Sequence, residues 1–397
     1  MADVLKVGQK IAVVEEDTQG TYKAPSSGTE FVSPLSDGAT IEMTREFMQR
    51  NNLTSSLGKP TSRMGMASVT ATLPCEFKAA GTTGAAPEYD LLLQSAGFNK
   101  STVTETTTGS GHTTTKLVLS SDTDALKYSV GDIVCVQDDS YGTFISPVSA
   151  VDSVDGGDGY SITLKLAGPH AFSNGAKISA MTLYKPNTTS GFPTLSISRW
   201  LEDAVCEKAF GCRTNSVAMS NYSVGQMPQL EFSMEGLGFD KDLEVLALTP
   251  SYSSALPPIA LQACVWKDAA KIEATEISWS VENTQGFKST TCSPNGKIAS
   301  RLTERTVTGS LTTYKYDDNI DNYIDFNAGD TFSLFSWAGN ETSTTGEFEQ
   351  CVAFYMPSCM INAISEGDQD LLLTEQLSFN AERGSSGNID ELIIAIF

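Results

Sequence analysis

The side chains able to do chemistry are few, and their spacing suits catalysis poorly. Only His112 and His170 are histidines, which leaves little for acid–base work or for a His-assisted zinc site. The eight cysteines (Cys75, Cys135, Cys206, Cys212, Cys264, Cys292, Cys351 and Cys359) form no CxxC pair, the spacing that marks zinc and redox sites. An even count would suit disulfides in a secreted protein. However, Met1-Ala-Asp-Val-Leu-Lys6 runs into Gly8-Gln-Lys10 without an apolar segment, so no signal peptide is expected and the thiols are read as reduced. Phosphate-binding glycine loops, the GxSxG elbow, HExxH and a dinucleotide-binding glycine pattern are all missing. Carboxylates remain. A glycosidase needs two of them facing each other at a fixed distance, and surface solvation is the commoner role. Asp152, Asp155 and Asp158 with adjacent glycines hint at calcium. The spacing is not that of an EF-hand loop, and Asp155-Gly-Gly-Asp-Gly159 reads more simply as a hairpin turn. Trp200, Trp266, Trp279 and Trp337 are not interleaved with basic residues. They read as core or interface residues rather than a nucleic-acid stacking platform. No enzyme activity, cofactor or metal is expected.

Charge is the outlier. Lys and Arg number 26 against 48 Asp and Glu, for a net charge of −22. So acidic a chain repels phosphates instead of neutralising them. The plain reading is solubility; the sharper one is a surface that nucleic acid passes without sticking. From Ser310 to Phe397 there are fifteen Asp and Glu against Lys315 and Arg383 alone. No apolar run approaches the ~18 residues that span a membrane.

Two sequence echoes organise the elements. Ser68-Val-Thr-Ala-Thr-Leu73 recurs as Thr306-Val-Thr-Gly-Ser-Leu311, and Gln229-Leu-Glu-Phe-Ser-Met-Glu235 as Gln376-Leu-Ser-Phe-Asn-Ala-Glu382. All four alternate as half-buried strands do. Their common order implies one β unit used twice. Each unit carries a long polar connection rich in basic residues. Thr44 to Arg63 holds Arg45, Arg50, Lys59 and Arg63; Glu282 to Arg301 holds Lys288, Lys297 and Arg301. Loops of that length are usually functional or mobile, and basic ones suit docking on an acidic neighbour. The clearest helix runs from Ala86 to Gly97. Pro87 sits in its first turn, and Tyr89, Leu92, Leu93 and Ala96 share one face. A second, weaker helix is expected over Asp317 to Phe326. Between Ser121 and Asn187, short strands between turns predict a small β-barrel or sandwich inserted in the first unit. The expected division is therefore residues 1–120 with 188–250, the insertion at 121–187, and 251–397. The apolar run Ile389 to Phe397 predicts a final paired strand.

The chain resembles the major tail tube proteins of long-tailed (siphovirus-like) bacteriophages. The likeness is carried by the Thr18–Tyr22 arm, the Arg45–Arg63 loop, the Val69 strand and the Pro87–Phe98 helix. Glu202–Gly236 with Gly211-Cys-Arg213, and Met356-Pro-Ser358 through Ala381 with the final strand, extend it. It covers most of the chain outside the insertion and rests on element order. The resemblance implies a mainly β fold: two tandem tail-tube β-sandwich or barrel-like domains, each with a flanking helix, plus the small inserted β domain. It implies rings of six folds stacked into a hollow tube for DNA, so two folds per chain suggest rings of three chains. The basic residues become candidates for contact with an adjacent ring. Asp317, Asp318, Asp321, Asp325 and Asp330 become candidates for an acidic bore. The inserted domain is expected to project outward. Implied partners are the chain itself, the tape measure, terminator and distal tail proteins, and double-stranded DNA in passage; no membrane is implied. Assembly would occur in the bacterial cytoplasm and the product would be part of the virion tail. Other head or tail roles (terminator, decoration), a secretion tube, and more remotely a carboxylate-based glycan-binding protein or hydrolase stay open.

Overall fold

A computed structural model describes residues 8–52, 58–140, 142–152, 160–187, 191–202, 204–261, 263–293, 295–316, 321–342, 348–384 and 390–397. The chain is mainly β, with large antiparallel sheets and short helices. The first series of elements is β1 (Gln9–Glu15), β2 (Phe31–Val32), β3 (Thr40–Met48), β4 (Arg63–Glu76), α1 (Asp90–Ser95) and β5 (Phe98–Val103). A small sheet follows: β6 (Thr106–Thr107), β7 (Lys116–Val118), α2 (Asp122–Ala125), β8 (Ile133–Asp138), β9 (Gly142–Asp152), β10 (Ser161–Leu164) and β11 (Lys177–Ile178). Then come β12 (Met181–Pro186), β13 (Leu195–Leu201), β14 (Val205–Ser223), β15 (Gln229–Gly236) and β16 (Gly238–Leu243). The second series is β17 (Cys264–Lys267), β18 (Ala270–Ile272), β19 (Ala274–Ser289), β20 (Lys297–Tyr314), α3 (Asp321–Ala328), β21 (Thr331–Glu341), β22 (Phe348–Gln369), β23 (Leu372–Ala381) and β24 (Ile393–Ile396).

The two series match strand by strand. β3–β4–β15–β14 form one ladder and β19–β20–β23–β22 the other. Ile41 faces Ala71 and Met43 faces Val69; Trp279 faces Gly309 and Val281 faces Val307. One shift of 238 residues (41 to 279, 71 to 309) carries the first hairpin onto the second. The other echo pairs with these strands as well, in a register offset by two. Phe232 faces Leu73, whereas Phe379 faces Gly309. A two-residue offset keeps every side chain on its face. Gly309 explains it: a Cβ there would lie 2.4 Å from the Phe379 ring.

In each series one long strand serves two sheets. The first part of β14 pairs with β13 and β16, and its second part with β15 and β19. The first part of β22 likewise pairs with β21 and β24, and its second part with β23. β14 turns at Gly211, which has φ +66° and no room for a Cβ against Leu237, a conformation glycine adopts freely. The β14–β19 ladder joins both series into one sheet over a shared core that includes Leu73, Phe232, Trp279, Phe354 and Phe379.

α1 is shorter than its sequence signature, yet Tyr89, Leu92, Leu93 and Ala96 are all buried as their spacing predicts. The Tyr89 hydroxyl donates to the Lys78 carbonyl at 2.7 Å, which satisfies its polar end. Of the helix expected over Asp317 to Phe326, residues 317–320 lie outside the described residues and the rest is helical, with α3 running on to Ala328. The small sheet has the order β6-β11-β8-β9-β10-β7, and a bridge between Thr108 and Leu119 brings its ends together into a barrel. It takes in Thr106–Val118, before residue 121. β12, before residue 187, instead pairs with β5 and β24 in the large sheet. Thr102 to Thr115 reads as strand with a turn at Gly109–Gly111, but nothing in its composition assigns it to the barrel rather than to the first unit. The barrel core, including Ile133, Val136 and Ile162, is continuous with Phe335, Trp337 and Tyr355 of the second series.

Candidate assembly surfaces

The cysteines and His112 take structural places. All eight cysteines are free, and only Cys292 is exposed. Burial pushes the Cys75 and Cys135 thiols up to about 12, holding them protonated. His112 accepts from the Val118 N–H at 3.0 Å and lies 3.0 Å from the Gly109 carbonyl, so it stitches a turn at the barrel rim. Burial lowers its pKa, which favours the neutral ring. Asp152 ends β9, while Asp155 and Asp158 lie outside the described residues.

One face of the large sheet has an unusual composition. The apolar side chains of β3, β4, β15, β14, β19, β20 and β23 point into the core, so alternate residues must point the other way. That outer face runs strand to strand through Thr40, Thr72, Ser233, Ser216, Glu282 and Thr306. The next row is Glu231, Ala218, Ser280, Thr308 and Asn380. Hydroxyls pair across it, Ser278 to Ser310 at 2.9 Å and Ser280 to Thr308 at 3.0 Å. Glu42, Glu231, Glu235, Glu276 and Glu282 supply its charge; among the described residues of these rows the cation is Arg213, opposite Glu235, whose guanidinium donates to the Phe192 carbonyl at 2.8 Å. The sequence reading missed these five glutamates. The signal was present in the polar partners of the alternating strands, but charge clusters drew attention to the Asp-rich stretch instead.

Of that stretch, Asp317 and Asp318 lie outside the described residues and Asp321 opens α3. Asp325 pairs with Lys267 at 2.8 Å, and the same ammonium donates to Asn322 Oδ1 at 2.8 Å. Asp330 is exposed after Gly329.

The second basic connection is mostly strand, and the first is strand at its two ends. Thr44–Met48 belongs to β3, and Arg63 starts β4 opposite Met48. Lys288 faces Ala299, Arg301 faces Gly286 and Lys297 faces Ser289. Ladder pairing continues past the apolar alternation, which is why polarity alone suggested a loop. Arg50 and Lys59 stay in the connecting turn, both exposed. The first arm also bares Phe47, Met48 and Met64, which are 68%, 57% and 64% exposed. Lys297 sits 3.9 Å from the centre of the Phe287 ring.

The opposite end of the sheet differs in kind. There the β22–β23 turn places Asp370 and Leu371 at positive φ, with Leu371 94% exposed. Glu366 and Asp368 lie beside it, and Lys315 pairs with Glu366. One end is thus basic and apolar, the other acidic and apolar.

Where the two series meet, the second closes the helix of the first. Asn283 donates to the Ala96 carbonyl at 2.8 Å, and Arg305 donates to Gly97 and Asn187 carbonyls at 3.0 and 3.1 Å. These groups occupy the carbonyl end of α1, where donors and positive charge are favoured.

No curated protein matches the chain. A family model described as phage tail tube protein matches residues 7–381, nearly the whole length and both series of strands. The repeated ladders, the polar sheet face and the projecting arms therefore stand in a chain that belongs to the phage tail tube protein family, a structural component of the virion tail.

Proposed function

We propose that this chain polymerises into stacked rings that form a hollow conduit for phage DNA, and that its role is structural, not catalytic. The observation that carries this is the polar sheet face, which offers hydroxyls and five glutamates against the single cation Arg213 in its described rows. Lining a bore, such a face repels phosphates and lets a duplex slide without binding. Its glutamates, more than the α3 aspartates, supply the charge. Each chain contributes two tube folds, so three chains complete a ring of six. The arms ending at Arg50 and Lys59 reach the acidic end of the next ring around Glu366, Asp368 and Asp370, and complementary charge sets the stacking direction. The barrel lies outside the tube. Assembly takes place in the host cytoplasm with the tape measure, terminator and distal tail proteins as partners.

Negative-stain electron microscopy of the purified protein tests this, with and without those partners. Tubes or uniform rings with a central channel are expected. A protein that stays monomeric in both conditions overturns the proposal.

A further inference from the structure

Among the described residues, two strand edges are open at the ends of the joined ladders. β3 pairs only with β4, and β22 beyond Met360 pairs only with β23. Their counterparts inside the chain are not open. β19 is the counterpart of β3 and β14 that of β22, and these two pair with each other. The molecule therefore contains one copy of a junction whose two halves it also displays, unpaired, at its far ends. An open edge is a template for another chain, and a contact between different surfaces repeats head to tail until it closes.

We propose that β3 of one copy adds antiparallel to the open edge of β22 of the next, in the register of the β14–β19 ladder. This rests on the ring reading above and deepens it by naming the edges that close the ring. The neighbours fix the register. Val217 and Ala218 face Phe232 and Glu231; Ile361 and Ala363 face their counterparts Phe379 and Ser378. Val217 pairs with Val281 and Ala218 with Ser280. A shift of 238 residues then sets Met43 opposite Ile361 and Glu42 opposite Ala363.

The same shift carries Asn283 to Arg45. Asn283 closes α1 at Ala96, just before Gly97 at φ +96°. α3 ends the same way, with Ala328 before Gly329 at φ +71°. Arg45 is exposed in the single chain. In the ring its guanidinium donates to the carbonyl end of the neighbour's α3, beside Asp330, where a cation is favoured. Arg45 is thus a contact within a ring, whereas Arg50 reaches between rings.

Two cysteines test the register. Directly opposed strand residues have Cα atoms about 4.5–5.5 Å apart, within the reach of a disulfide. Glu42→Cys combined with Ala363→Cys, oxidised with copper–phenanthroline, is expected to give covalent dimers and trimers on a non-reducing gel, with nothing larger. Neither single variant should do so. Ala218→Cys with Ser280→Cys, the internal equivalent, should close within one chain. Tubes by microscopy without these cross-links overturn the edge assignment and leave the tube reading standing. Absence of both rings and tubes in the wild-type protein overturns the two together, and covalent tetramers overturn closure by three. Independently, Arg45→Glu should lower ring yield about tenfold, a change of ~1.4 kcal/mol, with an unchanged monomer melting curve. Unchanged ring yield removes Arg45 from the junction.

Discussion

The two series of strands repeat one ladder and stabilise it differently. In the first, Ile41 packs opposite Ala71; in the second, Trp279 packs opposite Gly309. Volume moved from one strand to its partner, and the Phe379 ring fills the space a side chain at 309 would take. Their outer sheets differ more. The first is covered by a small cluster of Phe31, Trp200 and Cys206 with Leu246 and Leu248. The second is covered by the barrel, whose core runs into Phe335, Trp337 and Tyr355. The inner ladders keep one plan and share the β14–β19 junction, while the outer sheets are covered in different ways that both exclude water.

The largest test of this contrast is Trp279→Ala. It should cost about 3–5 kcal/mol by leaving a cavity in the shared core, read as a fall in Tm. Ile41→Ala should cost less because a smaller volume is removed. Equal losses would break the idea that packing volume is distributed differently between the ladders.

Next in size is the barrel seat. Lys185 on β12 pairs with Asp132, which precedes β8 and is buried. Burial pushes the Asp132 carboxyl up, against the opposing pull of Lys185. Lys185→Ala leaves a buried, unpaired carboxylate at a cost of about 3 kcal/mol, toward the low end for such pairs. An acid whose folded pKa lies above its unfolded value binds protons more tightly when folded, so stability falls as pH rises through that window. The variant should therefore lose most at neutral pH and recover partly on acidification. Denaturant melts at several pH values read this directly.

Gly309→Ala should cost about 1–3 kcal/mol through overpacking against Phe379, whereas Ala71→Gly should change stability by no more than about 1 kcal/mol. Smallest per chain is Arg50→Glu. An exposed pair contributes about 0.2–1 kcal/mol, so the fold should be unchanged and the critical concentration for tube growth should rise, most clearly at low salt. A salt-independent effect would remove Arg50 from the ring-to-ring contact.

Much of this architecture was legible in the residues. Val69, Ala71 and Leu73 alternate with polar neighbours, and that alternation located β4, its twin and their partners. Tyr89, Leu92, Leu93 and Ala96 located α1 and its buried face. The strand parts of the arms were misread as loop because Arg45, Lys288 and Arg301 are polar on strands whose ladders extend beyond the core. The barrel boundary was misplaced because strands as short as β6 and β7 carry no periodicity, and because β12 reads like a barrel strand but pairs in the large sheet. The Glu-lined face was invisible for a different reason. Glu42, Glu235 and Glu282 lie far apart in the chain, and only the ladder partners brought by β14 gather them on one surface.

β24 lies between β12 and β22, with Thr182 facing Ile396 and Phe354 facing Ile394. It is a central strand supplied late in the chain to a partner made early. During synthesis the paired strands β5 and β12 must wait, with an edge exposed, until residues 393–396 emerge. Closing so long a loop is slow, because its entropy is lost before the contacts reward it. An unpaired edge in the interim invites pairing with other nascent chains. Folding of this molecule should therefore end, not begin, at the seat of the barrel.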